Sequence, residues 1–367
     1  MEVIVIGGGP CGLLSAINIK KVHPNYKVLL LEKEKDIGPR IKISGNGRCN
    51  FINKNLVVSK YSSSFVDHIL KYQGEVLKIL EEVGFAYFFD EEGRGYPLSE
   101  NSSTVIQVLK DLLEKYQVEY LTSYQVTNII KQENKYVINN QFTCDKLVVA
   151  TGGISYLNDR LNYNRIISEL QLSTTMLTPS LAPISVSSFP KELENKKIKC
   201  HVKLLDQNKI VFEESGEVLF KKDGLSGIVI FNLSAYLSRL HLTNYQNYQI
   251  SLNLLPTISD DKLKELIRIN PNLNHILIKE LADYIFKFED KFKAIRDLRF
   301  KVRGIYEFKN SQVTSGGVKL NQINSNLSLK SDPNIFLGGE LLDIDGMCGG
   351  YNIGYALCAG YLIGISI

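Results

Sequence analysis

Residues 2–12 read Glu2-Val3-Ile4-Val5-Ile6-Gly7-Gly8-Gly9-Pro10-Cys11-Gly12, and 20 residues after Gly12 an apolar run, Leu29-Leu30-Leu31, ends in Glu32. Few folds tolerate that order. Val3 to Ile6 read as a short buried strand, Gly7 as its sharp turn, Gly9 as a point of close approach to a pyrophosphate, and Gly12 as the contact where the next helix presses on the strand. Free amides at the start of that helix would meet the phosphates. Leu13, Leu14, Ala16, Ile17 and Ile19 make the helix apolar enough to pack. His23-Pro24-Asn25 ends it, and Lys27 to Leu31 form a second strand. Glu32 closes that strand where a carboxylate accepts both ribose hydroxyls; an acid there disfavours a 2′-phosphate, so the reading is FAD or NAD rather than NADP. A glycine triplet alone also occurs in plain turns, and it is the sequence of strand, helix, strand and acid that carries the nucleotide site.

With 367 residues the chain has room for about two domains at the usual ~150 residues each. A net charge of +4 is small for this length, and the basic residues are spread along the sequence, so charge decides nothing about nucleic acid. Six cysteines (Cys11, Cys49, Cys144, Cys200, Cys348, Cys358) contain no CxxC pair, and the five histidines stand singly, so neither a metal site nor a disulfide framework is expected. The first strand begins at residue 2, which leaves no room for a signal peptide, and no apolar run approaches the ~20 residues of a membrane helix. A cytoplasmic protein with no membrane partner is expected.

Beyond Glu32, residues 37–50 form a glycine-rich loop with three cations and no helical period. Two amphipathic helices are predicted, over about 63–83 and 102–116, the second led by Asn101, Ser102 and Ser103 as caps. Val118 to Tyr120 can add a third parallel strand, Tyr124 to Ile130 with Lys135 to Ile138 read as a small antiparallel excursion, and Lys146 to Ala150 return to the sheet before Thr151-Gly152-Gly153. Composition changes near residue 155. Short apolar or alternating runs follow (182–186, 198–205, 228–233, 249–254), then helical stretches between Asp260 and Lys293. The final strand, 335–337, opens into a glycine-rich segment and an apolar helix running to about Gly364. The fold class is therefore α/β: a Rossmann-like domain made of 1–155 and 311–367, with an α+β domain inserted over 156–310.

Four glycine-centred segments now stand in order: Gly7 to Gly12, Ser44 to Asn50, Ala150 to Gly153, and Gly338 to Asn352. Together they resemble the bacterial BaiN/YhiN-type NAD(P)/FAD-dependent oxidoreductases, also labelled aminoacetone oxidase family FAD-binding enzymes, within the glutathione-reductase-like FAD fold. The most specific matches are Ile43 to Asn50 (ISGNGRCN), similar to that family's SGGGRCN, and Gly338 to Gly360, similar to its GE-LD-DG-GGYN signature. Weaker ones are Gly93 to Ser99, Gly216 to Gly227 and Val313 to Val318. Where the family continues with a glycine-rich GSTGDGY segment, this chain has Tyr156 to Tyr163, which puts substrate contacts there in doubt. Asn46 also replaces a family glycine, and asparagine is among the residues that best tolerate positive φ.

The resemblance implies an extended, non-covalent FAD. Its pyrophosphate would lie on Gly7, Gly9, Pro10, Cys11 and Gly12, its ribose on Glu32 and Lys33, its adenine beside Val126, with Ala150, Thr151 and Gly152 close by. Arg40, Ser44, Gly45, Gly47, Arg48, Cys49 and Asn50 would hold the flavin end together with Gly339, Glu340, Gly350, Asn352 and Ile353. Amides or cations near N1 and O2 would raise the flavin's potential. Several residues keep two readings. Arg48 either contacts cofactor or orders its loop; Cys49 is either a redox partner of the ring or a small buried thiol, and no second cysteine lies a few residues away as in disulfide reductases. Cys348 could meet Cys49 across the fold or simply pack. Tyr351 is a packing residue or a proton donor, and Glu340 and Asp343 bind ribityl hydroxyls or are solvated loop acids. The basic stretch Lys191 to Lys199 reads as a solvated loop.

Residues 155–310 hold no second GxGxxG, so NAD(P)H, if used, binds transiently in front of the flavin. The expected activity is NAD(P)H-linked reduction of a small organic substrate through flavin N5. The alternatives are an oxidase of a small amine, an RNA-modifying or RNA-binding flavoprotein, and a non-catalytic flavin sensor. No basic stripe studded with aromatics is visible in the sequence, which argues against nucleic acid. Catalytic acid and oligomeric state are not assigned.

Overall fold

The computed structural model describes residues 1–156 and 159–367. Leu157 and Asn158, part of the segment that departs from the family pattern, lie outside the described residues. Two compact units form: Met1–Leu177 with Val313–Ile367, and Thr178–Gln312. The composition change had placed the boundaries at 155/156 and 310/311. The difference is helix Arg160–Glu169, polar on most of its surface, which is bound into the first unit: Tyr163 and Ile166 are buried, and Glu169 accepts a hydrogen bond from the Ile129 amide at 3.1 Å.

The first unit is built on a six-stranded sheet. Strand Glu2–Ile6 lies between Lys27–Leu31 and Lys146–Val149; Glu119–Leu121 extends it on one side and Asp332–Leu337 on the other, all parallel. Ser328–Leu329 pairs antiparallel on the last strand. Val3 to Ile6 are buried on both faces, as a central parallel strand requires. The strand order is that of a doubly wound nucleotide fold, in which ligands lie beyond the carboxyl ends of the strands. Those ends converge: the Gly7 amide donates to the Leu31 carbonyl at 2.8 Å and the Ala150 amide to the Ile6 carbonyl at 2.8 Å.

Helix Pro10–Val22 packs on helix Tyr351–Ser366 through small residues. A Cβ on Gly360 would sit 2.4 Å from the Cys11 carbonyl oxygen, and one on Gly364 would sit 2.5 Å from the Asn18 Cβ. The close approach lets Asn18 donate its amide to the Tyr361 carbonyl at 3.0 Å. Helix Ser102–Lys115 is capped by Asn101, whose side chain accepts from the Ser103 amide at 2.9 Å, as its sequence predicts. The helix expected over 63–83 is instead three pieces, Ser64–Val66, Asp67–Leu70 and Gln73–Glu81. At the break Gln73 turns its amide onto the carbonyls of Asn53 (2.8 Å) and Lys54 (3.0 Å), bonds that periodicity does not reveal. The antiparallel excursion comprises Ile129–Gln132, Lys135–Ile138 and Phe142–Cys144, so residues 124–128 lie outside its strands.

The second unit is a closed six-stranded antiparallel barrel with helices around it. Its strands run, in spatial order, Ile184–Val186, Gly224–Ser226, Lys209–Lys221, Lys197–Asp206, Tyr248–Asn253 and Leu298–Ile305. Val202, Leu204, Phe220, Ile250, Leu252, Phe300 and Val302 belong to its core. The apolar run 228–233 opens a helix, Ile228–Arg239, rather than a strand. Among the described residues no helix is long and apolar enough to cross a membrane.

The helix contact yields a prediction. Gly360→Val forces a side chain against the Cys11 backbone, and overpacking of this kind costs about 2–3 kcal/mol. A thermal melt should show the midpoint falling by roughly 5 °C or more; an unchanged midpoint would show that the two helices separate at no cost.

Candidate cofactor site

At the carboxyl end of the central strands, the first turn of helix Pro10–Val22 offers amides with no partner inside the helix, those of Cys11 and Gly12. Pro10 occupies the first helical position, where its missing N–H costs nothing. Gly12 is pressed on the turn: a Cβ would lie 1.9 Å from the Gly7 carbonyl oxygen. Gly9 differs, since nothing lies within 4 Å of a Cβ built there, and the same holds for Gly152. The backbone is therefore bare at both positions.

Glu32 is 5% exposed and is held by main chain alone among the described residues. Its Oε2 accepts from the Gly8 amide at 2.6 Å and its Oε1 from the Glu34 amide at 2.8 Å. A carboxylate offers about four acceptor sites, so two amides leave capacity for the two hydroxyls of a ribose. Thr151 adjoins this turn, its Cα 3.1 Å from a Cβ built on Gly7. The Thr151 hydroxyl is buried with no hydrogen-bond partner, an arrangement that costs free energy unless something supplies one. Lys33 is turned to an ion pair with Asp159, and Val126 is buried.

A second cluster ties four segments. Arg40 donates to the Gly153 carbonyl at 2.8 Å and lies 3.6 Å from Glu340, whose Oε1 accepts from the Thr314 amide at 2.8 Å. The Thr314 hydroxyl in turn accepts from the amides of Ile154 and Ser155, both at 3.0 Å. Gly153 is enclosed here, its virtual Cβ 2.5 Å from both Glu340 Oε1 and Thr314 Oγ1. Glu340 is thus a partner of protein groups rather than a solvated acid. Nearby, the Tyr163 hydroxyl is buried without a hydrogen bond, and burial, helped by Asp343 and Glu340, pushes its ionisation well up. Sequence reading missed Thr314 and Tyr163; neither stands in a recognisable motif.

Within the loop 40–50, one helical turn, Pro39–Ile43, precedes Ser44–Gly47. Asn46 adopts φ 55°, the left-handed conformation that favours asparagine where the family has glycine. Ser44 donates to the Ile41 carbonyl at 2.8 Å, and the next residue, Gly45, leaves only 2.9 Å between a virtual Cβ and the Asn50 amide nitrogen. With its amide oriented to satisfy both neighbours, Asn50 accepts from the Gly350 amide at 3.0 Å and donates to the Ile52 carbonyl at 3.1 Å. Gly350 has φ 88°, and a Cβ there would lie 2.3 Å from the Ile52 oxygen. The loop and the start of helix Tyr351–Ser366 are therefore bolted together, and Gly339 joins the same end of the unit, 3.1 Å from the Cys11 Cβ as a virtual Cβ.

Other candidates are engaged elsewhere. Arg48 lies over the Tyr96 ring at 4.4 Å and pairs with Glu100 at 2.8 Å, the loop-ordering role. Asn352 closes its own loop, accepting from the Gly346 amide at 2.8 Å and donating to the Gly346 carbonyl at 2.9 Å; Ile353 beside it is half-buried. Tyr351 is buried against Tyr61, which donates to its carbonyl at 2.9 Å, and burial raises its phenol ionisation. Cys49 is fully buried, and desolvation pushes its thiol up to about 11 although a hydrogen bond with Ser44 acts the other way.

The model of the family described as HI0933-like protein Rossmann domain matches residues 1–366. The chain belongs to that family. Its relatives include a 3-dehydro-bile acid delta(4,6)-reductase from Clostridium scindens, 25% identical over 98% of this chain and 97% of that protein. Ribosomal RNA dihydrouridine synthases from Haemophilus influenzae and Escherichia coli are each also 25% identical, over 100% and 97% of this chain and 98% and 95% of their own length. Among solved structures, the open conformation of a flavocytochrome c3 fumarate reductase aligns with all of this chain and 77% of that one at 15% identity and a TM-score of 0.50, a likeness of fold alone. Membership makes this chain an FAD-dependent oxidoreductase on a Rossmann-like FAD-binding fold.

The Cys49 environment predicts its chemistry. A thiol ionising near 11 is protonated at neutral pH, so thiolate-directed alkylation of native protein at pH 8 should leave Cys49 unlabelled, with labelling appearing on unfolding. Mass mapping that finds Cys49 among the first residues modified would restore its redox reading.

Proposed function

We propose that this chain is a reductase that binds FAD non-covalently along the Gly7–Gly12 turn, Glu32 and Thr151, draws electrons from NAD(P)H, and saturates a carbon–carbon double bond conjugated to a carbonyl. The observation that carries the binding site is the combination of bare backbone at Gly9 and Gly152, spare acceptor capacity on buried Glu32, and the unpartnered Thr151 hydroxyl. These fit the diphosphate, ribose and neighbouring polar groups of a dinucleotide.

When bound, FAD supplies hydride transfer through N5; the protein supplies position and electrostatics. The first-turn amides of Cys11 and Gly12 meet negative charge at the positive end of their helix. Arg40, fixed by Gly153 and Glu340, adds one cation at the edge of the same cluster. The activities named for the two kinds of relative share one chemistry, since a conjugated double bond gains hydride and a proton in each. NAD(P)H, lacking a dedicated glycine-rich domain in this sequence, would come and go in front of the flavin.

The direct test is anaerobic addition of NADH or NADPH to purified yellow protein, followed near 450 nm. Bleaching is expected, and a spectrum untouched by either donor would overturn the reductase reading. Two variants test the cofactor placement. Gly9→Val adds a side chain that meets no protein atom, so the fold should keep its stability while FAD occupancy falls, and full occupancy would remove the turn from the site. Thr151→Val removes the unpartnered hydroxyl and should weaken FAD binding by roughly fivefold, the worth of one hydrogen bond; unchanged affinity in a fluorescence titration would show that the hydroxyl faces no ligand.

A further inference from the structure

The barrel unit carries a feature hidden in the linear sequence. Strand Leu298–Ile305 alternates core residues Leu298, Phe300 and Val302 with exposed Arg299, Lys301 and Arg303. Strand Lys197–Asp206 does the same, with Cys200, Val202 and Leu204 in the core and Lys199, His201 and Lys203 on the other face. The strand between them, Tyr248–Asn253, fixes their register: Lys203 pairs with Ser251, and Ser251 pairs with Arg299. Lys199, His201 and Lys203 therefore lead up to the level of Arg299, and Lys301 and Arg303 continue past it. At about 3.3 Å per residue this diagonal row extends on the order of 25 Å.

Some of its charges are neutralised, since Arg299 is paired with Asp297 and His201 with Glu213, while Lys197 at the margin is paired with Glu217. Lys199, Lys203, Lys301 and Arg303 make no ion pair among the described residues. A barrel needs no such row to fold, because the apolar alternate positions make its core. The middle strand presents Gln249, Ser251 and Asn253 outward, polar groups rather than the apolar anchors that hold a protein in a membrane surface. An extended line of unneutralised cations interleaved with hydrogen-bonding side chains matches a phosphodiester backbone.

We propose that this outer face of the barrel docks RNA, and that the double bond reduced is that of a uridine in it. The inference rests on the reductase reading above for its chemistry: NAD(P)H and one proton are consumed, and NAD(P)+ and dihydrouridine are formed. RNA rather than DNA is the occupant, because uridine supplies the conjugated double bond and two of the relatives are ribosomal RNA dihydrouridine synthases. The contiguous row corrects the picture of spread basic residues drawn from the sequence.

The test is fluorescence anisotropy of a fluorescein-labelled, uridine-containing RNA hairpin with the full-length, flavin-loaded protein between about 50 and 200 mM KCl. Joint replacement Lys199→Gln, Lys203→Gln, Lys301→Gln and Arg303→Gln should weaken binding at least tenfold and lower the log–log salt slope by roughly 3, as loss of four phosphate contacts requires. The charge-retaining pair Lys203→Arg and Lys301→Arg should bind like the parent. Equal affinity and slope in the neutralised variant would overturn the proposal. So would duplex DNA competing as well as the hairpin, or vesicles of anionic phospholipid binding where RNA does not. The titration needs no turnover, so failed binding leaves the reductase reading intact, and failed bleaching by NAD(P)H leaves the docking result readable.

Discussion

A buried carboxylate held by two main-chain amides is the constraint on which the first unit turns. Glu32 stands at the end of one parallel strand and takes the Gly8 amide from the turn after its neighbour, so the turn cannot relax without stranding a charge in the interior. The same geometry leaves the carboxylate only partly satisfied. Stability of the turn and appetite for a polar ligand therefore come from one side chain, and the unpartnered hydroxyl of Thr151 adds to that appetite from the adjacent strand end.

The opposite end of the site is organised by a chain of polar contacts, not by a single group. Arg40, Gly153, Glu340 and Thr314 come from segments far apart in sequence, and each bond fixes the next. Inside a protein such networks stiffen cooperatively, so a loop that would be mobile alone is held in one arrangement. Asn50 and Gly350 play the corresponding role for the glycine-rich loop and the final helix. Several residues that look like cofactor ligands in the sequence are spent on this scaffolding, Asn352 and Arg48 among them.

Local chemistry was legible in the sequence wherever one residue type answers one steric demand. The order of strand, glycine turn, helix and Glu32 forecast the parallel sheet, Asn46 forecast a left-handed backbone, and Asn101 forecast a helix cap. What escaped depends on pairing across long separations. Nothing near Thr314 shows that it will receive the amides of Ile154 and Ser155, and nothing near Arg48 singles out Glu100 and Tyr96. The helix over 63–83 was too long because Gln73 finds its partners at residues 53 and 54, and the domain boundary was early because a polar helix gave no sign of joining the nucleotide unit. The cationic row is dilute in each strand, and only the barrel register makes it continuous.

The insertion also has a consequence for the order of events during synthesis. Helix Pro10–Val22 is nearly all apolar, yet its small-residue partner, helix Tyr351–Ser366, is encoded more than 300 residues later. At roughly 5–20 residues per second the ribosome takes on the order of a minute or less to deliver it. The barrel, whose strands all lie between 184 and 305, is complete before that moment, whereas the nucleotide unit lacks both its fifth parallel strand and its closing helix. A nascent chain of this protein therefore carries an uncovered apolar helix past a finished domain, and its interval of dependence on chaperones is set by the length of the insertion.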